Sequence, residues 1–197
     1  MANLRFVEEK TKDVATRKKD LRAYMKEARA NVDNRDVKTE LIIQNTIQYL
    51  DTMRKKTGGH TVFVYQSFST ETGTDKLIET LQEKGFVVCC PRIKDGEMVA
   101  VAYNEAFELS SLGIREPIGE QVTFSPHYAI TPLLAVDKQG NRLGYGKGYY
   151  DAYFALHSAT LRIGYCFARQ IIGKVPTQNS DVTLQTIITE NGVLEIE

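Results

Sequence analysis

Apolar positions along the chain switch between two periods. Over residues 12–30, KDVATRKKDLRAYMKEARA, Val14, Leu21, Met25 and Ala28 recur at the spacing of one helix face. Lys18 falls inside that stripe and Arg22 lies one turn beyond it, at its edge. Such cations either lay their stems on the core with heads in water, or aim into a cleft that the helix covers. Residues 35–56 predict a second helix with Val37, Leu41, Ile43, Ile47 and Leu50 as its apolar positions, ended by Gly58-Gly59. TDKLIETLQEKG (74–85) predicts a third, with Leu77, Ile78 and Leu81 inward and Gly85 as its stop. YYDAYFALH (149–157) predicts a fourth.

Between the helices the period changes. TVFVYQSF (61–68), FVVCCPRI (86–93), MVAVAY (98–103), YAITPLLAV (128–136), RIGYCF (162–167) and TIIT (186–189) read as strands, rich in β-branched and aromatic residues. FVVCCPRI is apolar on both faces, as in a parallel sheet covered on both sides. Residues 104–126, with Gly113, Pro117, Gly119 and Pro126, read as irregular. Strands alternating with helices predict an α/β fold: three α/β/α layers on a Rossmann-like, mainly parallel sheet. No linker divides the chain, so a single domain over 1–197 is expected. Ligands of such sheets bind beyond the carboxyl ends of the strands. YQSFSTET after the first strand and DKQGNRLGYGKGYYD after the fourth are therefore expected on one rim.

Composition narrows the classes. Cations and anions balance at 25 each, so no general affinity for nucleic acid or anionic membrane is implied. The apolar runs are far shorter than the ~20 residues of a membrane span. MANLRFVEEKTKD is charged and lacks an apolar core, so no signal peptide is expected there. Cys89, Cys90 and Cys166 sit in apolar runs without CxxC spacing, which predicts reduced, buried thiols and a cytoplasmic location. A surface so balanced suits a monomer.

The run NRLGYGKGYYD (141–151) carries the densest chemistry. Gly144, Gly146 and Gly148 allow backbone to approach a ligand, and the loop leads into a predicted helix start, where free N–H groups favour an anion. Arg142 and Lys147 add full charges suited to phosphate. The spacing is neither GxxxxGK[ST] nor GxGxxG. Asp151 is a carboxylate of the kind Mg²⁺ takes beside phosphate oxygens, or a first-turn carboxylate favoured by the helix dipole. Tyr65, Tyr149 and Tyr150 could supply flat walls and hydroxyl donors, or serve packing alone.

RLGYGKGYYD resembles the signature of the 5-formyltetrahydrofolate cyclo-ligase family. The likeness continues in order along nearly the whole chain: Lys18 and Arg22 fit K-x-x-x-R, Glu71-Thr72-Gly73-Thr74 fits Glu-x-x-Thr, Gly113-Ile114-Arg115-Glu116-Pro117 fits G-I-x-E-P, and Val175-Pro176 leads to Asp181 and Ile187-Ile188-Thr189-Glu190. Departures are Leu133, where the family often has glycine, Ser180 before Asp181, and Gln185 near a usual aspartate. The resemblance implies ATP- and Mg²⁺-dependent conversion of 5-formyltetrahydrofolate to 5,10-methenyltetrahydrofolate, with small-molecule substrates only. It implies ATP binding by Lys18, Arg22, Arg142, Leu143, Gly144, Tyr145, Gly146, Lys147, Gly148, Tyr149 and Tyr150, with Arg142 and Lys147 catalytic. It implies folate contacts from Tyr65, Glu71, Tyr149 and Tyr150, and metal contacts from Asp151 and Asp181.

No strong base is demanded by that reaction, and the scattered His60, His127 and His157 fit packing or surface roles. Two other readings of the residues stay open at this point. A sugar-phosphate isomerase or acyl-CoA transferase would use the glycine loop for phosphate and Glu71 as its base or nucleophile. A non-catalytic nucleotide or folate module would bind without turnover.

Overall fold

The computed structural model describes residues 13–104, 106–110, 113 and 115–196; Ile114 of the G-I-x-E-P segment and Lys12, the first residue of the predicted first helix, lie outside them. The chain runs α1 (Val14–Ala30), α2 (Arg35–Thr57), β1 (Thr61–Val64), α3 (Asp75–Glu83), β2 (Val87–Lys94), β3 (Glu97–Ala102), β4 (Phe107–Leu109), β5 (Arg115–Pro117), β6 (Tyr128–Thr131), β7 (Ala135–Val136), β8 (Arg142–Leu143), α4 (Tyr149–Leu156), β9 (Leu161–Tyr165), β10 (Thr186–Thr189) and β11 (Gly192–Glu195). Seven strands form one sheet in the order β11-β10-β9-β6-β1-β2-β3. Its five central strands are parallel, and β3 and β11 close the edges antiparallel.

Alternation along β1 sorts the layers. Val62 and Val64 face one side, where they pack with Ile43, Ile47 and Leu50 of α2 and Leu77, Ile78 and Leu81 of α3. Phe63 faces the other side and stacks on Tyr153 of α4 at 4.8 Å. Helices thus cover both faces of a mainly parallel sheet, as the alternation of elements predicts. α1 packs on the β7–β8 hairpin and its flanks: Met25 lies with Leu134, Ala135, Leu143 and Val175.

Three expectations need correction. Val37 and Leu41 of α2 are exposed, and the buried stripe runs instead through Ile42, Ile43, Thr46, Ile47 and Leu50. The predicted strand 128–136 is broken, because Pro132 has no N–H to continue the ladder. The chain leaves the sheet after Thr131, and β7 pairs with β8 in a separate hairpin. Residues 104–126 are not wholly irregular, since β4 and β5 pair within them. The three cysteines are buried free thiols. No helix among the described residues is long and apolar enough to cross a membrane.

Candidate active site

β1 and β6 are parallel neighbours, Val64 opposite Ile130, so their carboxyl ends open on one edge. The Glu71 loop and the β7–β8 hairpin with its glycine loop both leave from that edge. His60 and His127 directly precede β1 and β6, at the opposite edge, and His127 is hydrogen-bonded to Thr61 there. His157 follows α4 and bonds Ser125. No histidine therefore approaches the glycine loop.

α1 reaches the loop through a row of cations. Arg22 donates from Nε to the carbonyl of Gly144 at 2.9 Å. Lys18 is buried and donates to both oxygens of Asp181, at 2.7 and 2.6 Å, rather than resting its head in water. The Gln178 amide also donates to Asp181, at 2.8 Å. One residue on, the Val182 amide donates to Asp151 Oδ1 at 3.1 Å, and Arg142 Nη2 donates to the same oxygen at 3.1 Å. Lys18, Asp181, Asp151 and Arg142 thus form one continuous polar row, although they span most of the sequence.

The glycines make room for guanidinium groups. A Cβ on Gly144 would sit 3.1 Å from Arg142 Nη1. A Cβ on Gly146 would sit 3.0 Å from Arg22 Cζ, and its φ of +94° is a conformation that side chains rarely adopt. Arg142 itself is 9% exposed, its guanidinium lies 5.3 Å from the Tyr150 ring, and its Nε has no hydrogen-bond partner. A buried donor left unpaired is costly, and an acceptor oxygen brought to it would remove that cost. Lys147 and Gly148 are exposed at the tip, and Tyr149 and Tyr150 are half-buried in the first turn of α4.

Not every predicted side chain faces this space. Leu143 is buried against Met25 and Val175, so it can offer a ligand only backbone. Tyr65 is buried and spends its hydroxyl on the Thr72 carbonyl at 2.8 Å; it braces the Glu71 loop instead of presenting a flat wall. Glu71 Oε2 accepts from the Phe68 amide at 2.9 Å. Burial pushes the Glu71 carboxyl up, and hydrogen bonds from Phe68 and Tyr145 and the nearby Arg29 charge partly offset it. Burial likewise pushes the Tyr150 phenol well up, with Glu71 adding to the shift and Arg142 opposing it.

The pattern of the 5-formyltetrahydrofolate cyclo-ligase family matches residues 14–190. The chain belongs to that family. It is therefore a ligase of the cyclo-ligase kind. A probable 5-formyltetrahydrofolate cyclo-ligase of Caenorhabditis elegans is 31% identical over 194 residues, covering 88% of this chain and 92% of its own. The 5-formyltetrahydrofolate cyclo-ligase of Escherichia coli K12 is 34% identical over 147 residues, covering 69% of this chain and 81% of its own. Among solved structures, Aquifex aeolicus 5,10-methenyltetrahydrofolate synthetase superposes with a TM-score of 0.77 at 24% identity, covering 91% of this chain and 93% of its own. That of Mycoplasma pneumoniae superposes with a TM-score of 0.69 at 22% identity, covering 88% of this chain and 98% of its own. At such identities the superpositions speak to the fold alone.

For this cyclo-ligase chain the fit of a magnesium ion can be judged from its carboxylates. No three His, Cys, Asp or Glu side chains among the described residues gather as a protein cage. Mg²⁺ needs none, since it takes one or two carboxylates together with substrate phosphates. Asp151 suits that role: its Oδ2 has no protein donor among the described residues. Asp181 suits it only when Lys18 turns away, because Lys18 holds both of its oxygens.

Sequence reasoning missed Arg29. It is 3% exposed and donates to Thr70 Oγ1, the Leu133 carbonyl and the Tyr145 hydroxyl. A signal was available: Lys18, Arg22, Met25 and Arg29 follow one another by four, three and four residues, one continuous helix face.

Proposed function

We propose that this enzyme couples the family's conversion of 5-formyltetrahydrofolate to 5,10-methenyltetrahydrofolate to the cleavage of ATP to ADP and phosphate. The formyl oxygen of the substrate is a poor leaving group. Transfer of the γ-phosphoryl group onto it gives an imidate-like phosphate, whose phosphate leaves when nitrogen 10 of the same substrate attacks the formyl carbon. The nucleophile belongs to the substrate, so the protein must mainly position groups and neutralise charge.

The supporting observation is the unpaired, buried Arg142 Nε beside a glycine loop that Arg22 grips from α1. Arg142, Lys147 and the loop amides would hold the transferring phosphate, and Arg22 and Lys18 would meet the triphosphate from α1. Phosphate arriving at Lys18 would free Asp181. Magnesium, held by Asp151 and by Asp181 once freed, would neutralise charge building on the phosphate oxygens. Glu71 would accept N–H bonds from the pterin edge, with Tyr149 and Tyr150 bordering the ring.

The test is to mix protein, 5-formyltetrahydrofolate and Mg·ATP and follow near-ultraviolet absorbance of the methenyl product. Absorbance should rise only when all three are present. Binding of both ligands without product would return the chain to a non-catalytic folate or nucleotide module.

A further inference from the structure

Two ion pairs stand side by side in the candidate site, and each joins a cation suited to phosphate with a carboxylate suited to metal. Lys18 Nζ donates to both oxygens of Asp181, at 2.7 and 2.6 Å, and Arg142 Nη2 donates to Asp151 Oδ1 at 3.1 Å. The pairs are neighbours because Val182, next to Asp181 in the chain, gives its amide to that same Asp151 oxygen. Two positive and two negative groups therefore neutralise one another before any ligand arrives.

The pairs differ in what they leave open. Arg142 keeps Nε without a partner, and Asp151 Oδ2 has no protein donor among the described residues, so this pair can meet a ligand without parting. The other pair is closed. Asp181 Oδ2 accepts from the Gln178 amide as well as from Lys18, and Oδ1 accepts from Lys18. The Lys18 and Asp181 side chains are only 8% and 16% exposed, so a charge stranded on either one is costly. A dication reaching Asp181 alone either meets the Lys18 charge or leaves that ammonium buried without a partner. A phosphate reaching Lys18 alone either meets the Asp181 charge or leaves that carboxylate without its cation. When both arrive, each member of the pair gains a new partner and no charge is stranded.

We propose that Lys18 and Asp181 stand in for the two ligands, Lys18 in the metal's place and Asp181 in the phosphate's, so that nucleotide and divalent metal bind cooperatively and each binds weakly alone. This deepens the function proposed above and rests on it.

The experiment titrates nucleotide-free protein with Mn²⁺, which shares the oxygen ligands of Mg²⁺, and reads free Mn²⁺ by electron paramagnetic resonance. Lys18→Met keeps an unbranched stem in the apolar stripe and removes the ammonium. It should bind Mn²⁺ about 10-fold more tightly than wild type, and adding Asp181→Asn should remove the gain. Lys19→Met takes the same charge from the exposed residue next in the chain and should leave Mn²⁺ binding as in wild type. In the converse arm ADP is titrated in the presence of a chelator, and Asp181→Asn should bind it about 10-fold more tightly than wild type, because Lys18 is then free. This arm decides the matter if Lys18→Met fails to fold. No gain in the folded variants, or an equal gain from Lys19→Met, overturns the exchange, while wild type that binds Mg·ADP keeps the enzymatic reading in place. Wild type that binds no nucleotide with or without Mg²⁺ overturns that reading and the exchange with it.

Discussion

Lys18 illustrates how one residue joins sequence to site. Its place in an apolar helical stripe buries it, and burial requires a counter-charge, which Asp181 supplies at 2.6 Å. Lys18→Ala would leave Asp181 without its cation and is expected to cost about 1–3 kcal/mol, a fall in melting temperature of about 2–4 °C per kcal/mol. The double variant Lys18→Ala/Asp181→Ala should recover part of that loss, since no charge is then stranded; thermal melts of the four proteins in the cycle check it. Glu71 gives a pH signature of its own. Burial raises its carboxyl in the folded state, so the folded protein holds that proton more tightly than the unfolded chain. Its favourable contribution is present below the ordinary glutamate range and is lost as pH rises through the folded value. Glu71→Gln should therefore stabilise the fold at pH 7–8, with the gain shrinking as pH falls towards about 4. Urea melts across that range would show it, and a gain that grows in acid would contradict it.

At the scale of elements, the glycine loop works by what its backbone leaves empty. Gly146→Ala places a methyl against Arg22 in a left-handed conformation, which should cost about 1–3 kcal/mol and weaken nucleotide binding together. Calorimetry with ADP and thermal melts read the two effects. The same scale shows what sequence could tell. The four helices followed from periodicity, which depends on residues near in sequence, and the parallel core and shared rim from the alternation of helix with strand. The break at Thr131 was legible only in Pro132, which a continuous apolar run overshadowed. β8 is two residues long and exists because β7 lies beside it, so no local pattern marks it. Lys18 and Arg22 stand out in the apolar stripe and the loop in its own composition, whereas Glu71 stands out only through the ordered motifs. Arg29 stands out in neither way, because its partners at Thr70, Leu133 and Tyr145 come together only in the folded chain.

For the whole molecule, the polar row from Lys18 to Arg142 ties α1, the hairpin, α4 and the 178–182 segment at one place. A ligand bridging these parts binds the folded state and not the unfolded one, so Mg·ATP at 100 times its Kd should add about 2.7 kcal/mol. Scanning calorimetry should register this as a rise of about 5–10 °C. Asp151→Asn should need more Mg²⁺ to reach the same protection; an unchanged titration would remove Asp151 from the metal's surroundings.

Asp137 governs how such a site can open. Fully enclosed, its carboxylate accepts from the Gln139 and Asn141 amides and the Asn141 side chain within the hairpin, and from the Val175 amide outside it. Prying the hairpin base from the segment at 175 would remove one of the donors that hold this buried carboxylate. That side of the rim therefore behaves as a riveted block, and the freedom left to the glycine loop lies at its exposed tip, residues 146–148.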